Sequence, residues 1–138
     1  MSRLLVIGCG GVASVAIHKC CQLSEVFTEL CIASRTKSKC DALKKELETK
    51  TSTKITTAQL DADHVDEIIA LINSYKPDAV LNVALPYQDL TIMDACLATK
   101  VSYIDTANYE CENTDDPEWR KVYEERCKRL GFTAYFDY

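Results

Sequence analysis

The sequence predicts an α/β protein: a doubly wound parallel sheet with helices on both faces, in three α/β/α layers. Two observations carry this. Six short apolar runs alternate with five segments whose apolar residues recur at helical spacing, and an alternating β-α order is satisfied by parallel strands with right-handed crossovers. The chain also has only 4 glycines, where ordinary usage of about 7% would give roughly ten. Three of them, Gly8, Gly10 and Gly11, sit between the first apolar run and the first helical pattern. At 138 residues, 47% hydrophobic and 27% charged, the composition fits one globular domain over 1–138 and excludes disordered and fibrous architectures.

Arg3-Leu4-Leu5-Val6-Ile7 reads as a strand buried on both faces. A helix follows, on which Val12, Val15, Ala16, Cys20 and Leu23 recur at helical spacing. Leu30-Cys31-Ile32-Ala33 is the second strand. The next helix sets Cys40, Leu43 and Leu47 on one face and Lys39, Lys44, Lys45, Glu46 and Glu48 elsewhere. Ile55 to Ala58 is the third strand. Asp63 is a candidate cap for a helix with apolar positions Val65, Ile68, Ile69 and Ile72. Pro77-Asp78 stops it, and Ala79 to Val83 is the fourth strand. Leu90, Met93 and Leu97 mark another helix, followed by a fifth strand at Val101 to Asp105. Asp116 and Pro117 open the last helix, which carries Trp119, Tyr123 and Leu130, with proline at a first-turn position. Gly131 ends it, and Phe132 to Tyr135 is the sixth strand.

Charge and hydropathy narrow the function classes. Lys plus Arg is 16 against 21 Asp plus Glu, a formal charge of −5. That balance argues against a nucleic-acid or anionic-membrane binder. No run approaches the ~18–20 apolar residues of a membrane helix. The apolar run Leu4 to Ile7 is shorter than the core of a secretory leader, about 7–15 residues, so secretion is not expected. The 8 cysteines include no C-x-x-C pair, and His18 and His64 stand apart from any zinc-like grouping. They read as reduced, largely buried thiols in a cytoplasmic protein, with no metal site. The acidic stretch Asp105 to Glu118 reads as a solvated loop leading into a negatively charged helix start.

Gly8-Cys9-Gly10-Gly11-Val12-Ala13 matches the dinucleotide fingerprint G-x-G-x-x-(G/A), and it has the required setting between a strand and a helix. Gly8 permits the tight turn, Gly10 lets a pyrophosphate approach the backbone, and Ala13 keeps the helix close to the sheet. The helix N-terminus offers unpaired N–H groups and partial positive charge to the phosphates. The fold this predicts is a Rossmann-type sheet, with the strands, numbered along the chain, in the order 3-2-1-4-5-6.

Which dinucleotide is decided at the end of the second strand. Sites for NAD place a carboxylate there to bond the ribose 2′-hydroxyl; this chain has Ala33-Ser34-Arg35-Thr36 instead. Arg35 suits a 2′-phosphate, which it can pair bidentately while stacking on adenine, and Ser34 and Thr36 add hydroxyl donors. The cofactor expected is NADP(H). The Tyr-x-x-x-Lys pair, the phosphate-binding loop G-x-x-x-x-G-K-(S/T) and the G-x-S-x-G elbow are all missing. No catalytic residue is identified.

These stretches, with His18-Lys19, Leu60-Asp61-Ala62-Asp63, Asn82-Val83-Ala84-Leu85-Pro86-Tyr87 and Asp105-Thr106-Ala107-Asn108-Tyr109-Glu110, resemble the N-terminal part of the saccharopine dehydrogenase-like reductases. Within that family the resemblance is to carboxynorspermidine (carboxyspermidine) dehydrogenases. It implies NADPH-dependent reduction of an imine formed from aspartate semialdehyde and a diamine. By the same resemblance Asp61 and Ala62 border the adenine, Val83, Ala84 and Leu85 line the nicotinamide side, and Thr106 and Ala107 lie nearby.

The resemblance carries a departure. Family members continue into a second domain with much of the substrate pocket and the oligomer contacts, and they usually have a Gly-rich turn near the sixth strand. This chain has Ala134 to Tyr138 there. The expectation is therefore an isolated nucleotide domain, inactive alone, whose full-length parent is a homo-oligomer acting on a small amine and semialdehyde. The alternatives are a nucleotide-sensing regulatory module and a saccharopine dehydrogenase of amino-acid metabolism.

Overall fold

The computed structural model describes residues 2–84, 88–106 and 117–130. In chain order the elements are β1 (Ser2–Ile7), α1 (Gly11–Cys21), β2 (Phe27–Ser34), α2 (Lys37–Leu47), β3 (Lys54–Gln59), α3 (Val65–Tyr75), β4 (Ala79–Asn82), α4 (Asp89–Thr99), β5 (Ser102–Asp105) and α5 (Pro117–Leu130). Residues Met1–Ala107 form one compact unit, which carries the sheet, while α5 belongs to a second, Asn108–Tyr138. The predicted sixth strand and Gly131 lie outside the described residues.

Among the described residues five strands run in the order β3-β2-β1-β4-β5, every neighbouring pair parallel. This is the predicted doubly wound, Rossmann-type sheet. Leu4 to Ile7 pair with Leu30 to Ala33 on one side and with Ala79 to Asn82 on the other. The chain winds outward through β2 and β3, then returns past β1 to β4. The carboxyl ends of β1 and β4 thus flank the switch point, where open α/β sheets collect their ligands.

Strand alternation splits the core into two layers. Leu4, Val6, Leu30, Ile32 and Ile55 face α1 and α2, packing with Ala13, Ile17, Cys40, Leu43 and Leu47. Leu5, Ile7, Cys31, Ala33 and Val80 face α3 and α4, packing with Ile68, Ile72, Ile92, Ala95 and Cys96. Each fully buried Leu, Ile or Val contributes about 1.5–3 kcal/mol, so β1, enclosed on both faces, is the strand that the fold depends on most.

Two helices bury faces other than those predicted. On α1 the buried residues are Ala13, Ile17, Cys20 and Cys21; Val12 and Val15 are 63% exposed and Leu23 49%. The helix leaves the glycine turn so close to the sheet that a small residue, Ala13, must sit underneath, which turns the valines outward. On α4 the buried set is Asp89, Ile92, Ala95 and Cys96, with Leu97 half exposed. The cap of α3 also differs. His64 holds the N-cap position without a side-chain bond, because Asp63 turns away to accept a hydrogen bond from Gln88 Nε2 at 2.9 Å. Lys76 and Lys100 take left-handed backbone at the C-caps of α3 and α4, a place where glycine is usual.

Candidate functional site

All five strands deliver their carboxyl ends to one edge of the sheet, and a cleft of about 350 Å³ opens there. Its floor is the turn between β1 and α1. Gly8 is buried, has φ +121°, and donates its N–H to the Ala33 carbonyl at 2.8 Å. Gly10 is the N-cap of α1 and receives no side-chain capping bond, and the first turn holds no acid. The first intrahelical bond runs from Ser14 N–H to the Gly10 carbonyl at 2.9 Å, so the preceding N–H groups at the helix start lack intrahelical partners. Beyond the chain neighbours and the helix's own backbone, no atom of the described residues lies within 4 Å of a β-carbon built on Gly10 or Gly11. The backbone there is open to an approaching ligand.

The wall beyond β2 is cationic. Ser34, Arg35, Thr36 and Lys39 line the cleft, and among the described residues no acidic one does. Arg35 and Lys39 form no ion pair among the described residues. Arg35 precedes the N-cap Thr36 and Lys39 lies in the first turn of α2, so the two cations flank the entry to that helix. Thr36 is the N-cap of α2 with no side-chain capping bond. The Ser34 hydroxyl is committed differently from the prediction. It donates to the Thr36 carbonyl at 3.1 Å, accepts from Thr36 N–H at 3.2 Å, and lies 3.2 Å from Cys40 Sγ. Ser34 therefore shapes the loop that presents Arg35.

Cys9 lines the floor with its thiol pushed up to about 11, first by burial and then by the Cys40 thiol beside it, while Lys39 pulls it down. On the far side, Val83 and Ala84 follow β4. Val83 N–H donates to the Ile7 carbonyl at 2.9 Å, and Ala84 N–H donates to Asn82 Oδ1 at 3.0 Å. Asn82 Nδ2 donates to the Tyr103 hydroxyl at 3.0 Å, and that hydroxyl donates to Asp105 Oδ2 at 2.7 Å. Burial above all, with the Asp105 carboxylate adding to it, pushes the Tyr103 hydroxyl above its ordinary range, so it keeps its proton.

Of the residues named from sequence, Gly8, Gly10, Gly11, Val12, Ser34, Arg35, Thr36, Ala62, Val83 and Ala84 meet in this cleft. Ala13 is fully buried beneath it in the core. Asp61 is absent from the lining. Its carboxylate accepts from Asp63 N–H at 3.1 Å and pairs with His64 at 3.7 Å. Thr106 follows β5, is exposed, and is not among the lining residues. Leu85 and Ala107 lie outside the described residues. Sequence reasoning missed Ile7, Cys9, Lys39, Leu60 and Gln88 as lining residues. Only Lys39 left a signal, as a second cation four residues after Arg35.

Comparison with known proteins adds the family. Residues 4–134 match the saccharopine dehydrogenase NADP binding domain. The chain belongs to this family. The NADP-binding domain so identified fits the cleft, whose paired cations, missing acid and bare Gly10 suit a phosphate-rich dinucleotide. It is 43% identical over 136 residues to the carboxyaminopropylagmatine dehydrogenase of Synechocystis sp., covering 97% of this chain and 33% of that protein. It is 36% identical over 142 residues to the carboxynorspermidine synthase of Vibrio alginolyticus, covering 95% of this chain and 34% of that one. The chain thus spans about a third of the length of these relatives. Apo saccharopine dehydrogenase (L-Glu forming) from Saccharomyces cerevisiae shares the fold, with a TM-score of 0.68 at 17% identity, over 96% of this chain and 26% of that one. Among the described residues no helix is long and apolar enough to cross a membrane, and no cluster of His, Cys, Asp or Glu is suited to a metal.

Proposed function

We propose that this chain is the NADP(H)-binding domain of an oxidoreductase that reduces an imine, formed from aspartate semialdehyde and a diamine, to a carboxylated polyamine. One observation carries the cofactor half: Arg35 and Lys39 line the cleft together without an acid. A ribose 2′-phosphate would be paired by the two cations and a carboxylate there would repel it. The names of the carboxyaminopropylagmatine and carboxynorspermidine enzymes, similar across nearly the whole chain, support the substrate half.

In this reading the residues divide the dinucleotide among them. Arg35, Lys39 and the Thr36 hydroxyl take the 2′-phosphate, with Asp61 and Ala62 bordering the adenine. The N–H groups that open α1, at Gly11, Val12 and Ala13, take the pyrophosphate, with Gly8 and Gly10 keeping the floor low. Val83, Ala84, Leu85, Thr106 and Ala107 serve the nicotinamide side. Bound NADPH supplies the hydride; this domain's part is to hold and orient it. The semialdehyde and diamine are handled by further parts of a homo-oligomeric enzyme. The free thiols Cys20, Cys21, Cys31, Cys40 and Cys96 fit a reducing cytoplasm.

Calorimetric titration of the chain with NADPH and NADH tests the cofactor half. NADPH should bind at least about tenfold more tightly, a difference of about 1.4 kcal/mol, and Arg35→Ala should shrink the gap. Equal affinities would overturn it. For the substrate half, the enzyme bearing this domain should oxidise NADPH only when aspartate semialdehyde and a diamine are both supplied.

A further inference from the structure

We infer that Asp105, Tyr103 and Asn82 form a positioning relay that sets the Val83–Ala84 peptide, and through it the affinity for the half of the dinucleotide beyond the pyrophosphate. The inference rests on the reading of the cleft as a dinucleotide site. It goes further in giving a role to three residues that line none of that cleft.

The donors and acceptors of the three side chains all run in one direction. A carboxylate only accepts, so Asp105 takes the Tyr103 O–H as its donor, at 2.7 Å. With its proton so placed, the Tyr103 oxygen has only lone pairs left to offer, and it accepts from Asn82 Nδ2 at 3.0 Å. A carboxamide has two ends and would otherwise be free to flip. Here the donor end is taken, so Oδ1 must face the other way, where Ala84 N–H donates to it at 3.0 Å. Asn82 is 5% exposed, which leaves little room for water to replace either bond. An acid on β5 thereby dictates the direction of a main-chain amide after β4.

That amide belongs to the segment packed on the glycine turn. A β-carbon on Gly8 would meet Val83 O at 2.6 Å and Ala84 N at 2.8 Å. The relay thus fixes the β4 wall against the floor of the cleft. With the 2′-phosphate at Arg35 beyond β2 and the pyrophosphate over α1, the remaining nucleotide must run toward β4, since the sheet places β2 and β4 on opposite sides of β1. The relay reaches that end of the site alone.

The test compares two ligands on the same 138-residue chain: NADPH, and adenosine 2′,5′-bisphosphate, which carries only the half that Arg35 and Lys39 would hold. Tyr103→Phe removes both hydroxyl bonds and keeps the ring. It should weaken NADPH by about tenfold while changing the bisphosphate by less than about twofold. Asn82→Asp keeps an acceptor for Ala84 N–H but cannot donate to Tyr103, and it should show the same selective loss. Retained bisphosphate binding shows that either variant is folded. Unchanged NADPH affinity in both variants overturns the relay, as does an equal loss of both ligands, which is what a merely structural role would give. If the unsubstituted chain bound neither ligand, the dinucleotide reading itself would fall, and the relay with it.

Discussion

A β-carbon placed on Gly8 would lie 2.6 Å from the carbonyl oxygen of Val83. Both partners are backbone, and neither can retreat. Gly8 N–H is bonded to Ala33 across β2, and Val83 N–H to Ile7 across β1. The turn that opens the nucleotide cleft is therefore also a packing contact between β1 and β4. Gly10, two residues on, meets nothing within 4 Å of the same virtual atom beyond its chain neighbours and its own helix, so packing among the described residues does not require a glycine there.

The two glycines should separate in experiment. Gly8→Ala meets a backbone clash and a φ of +121°, and it should destabilise the fold by about 3 kcal/mol or more. The measurement is a lowered urea midpoint at unchanged slope. Gly10→Ala should shift stability by no more than about 1 kcal/mol, the scale of an N-cap exchange, yet weaken NADPH by about tenfold or more.

Lys39 stands four residues after Arg35, in the first turn of α2, and lines the same wall. Lys39→Ala should lower affinity for NADPH and leave NADH affinity unchanged, since only the 2′-phosphate distinguishes them. Removing Arg35 and Lys39 together should lose less than the sum of the single effects in free energy, because the two cations share one anion. The slope of NADPH affinity against salt should flatten in each variant. A loss that falls equally on NADH would place Lys39 elsewhere in the site.

What was legible in the sequence follows from which signal each residue left. The strands of the sheet were plain because β1 is buried on both faces and reads as an unbroken apolar run. Cys40, Leu43 and Leu47 were plain because α2 is polar elsewhere. On α1 and α4 the signal misled: both carry apolar residues on more than one face, so Val12, Val15 and Leu97 competed with the buried Ile17 and Ile92 and looked equally good. In the cleft, Gly8, Gly10 and Arg35 were legible because each answers a local demand of the chain. Gln88 was not. It lines the cleft through a bond to Asp63 twenty-five residues earlier, a long-range pairing that periodicity does not encode.

The reassigned face of α1 has a direct consequence. Ile17 is fully buried between helix and sheet, whereas Val15 is 63% exposed. Ile17→Ala should cost about 2–5 kcal/mol, the range for emptying a packed core position, while Val15→Ala should stay within about 0.5 kcal/mol. Chemical denaturation of the two variants side by side distinguishes this arrangement from the one in which the valines face the core.

Cys9 gives the cleft a pH-dependent reporter. The thiolate is the reactive form, and burial together with the neighbouring Cys40 thiol holds the Cys9 thiol protonated up to about 11. The neutral thiol therefore dominates at pH 7, and alkylation by iodoacetamide should be slow there. Its rate should climb about tenfold per pH unit through the alkaline range and level off only near that value. Because Lys39 pulls the thiol down, Lys39→Ala should make Cys9 slower still at a given pH. Bound NADPH should cover the turn and protect it. Peptide mapping by mass spectrometry assigns the modified residue, and fast labelling of Cys9 at pH 7 would contradict the partly buried, paired environment described for it.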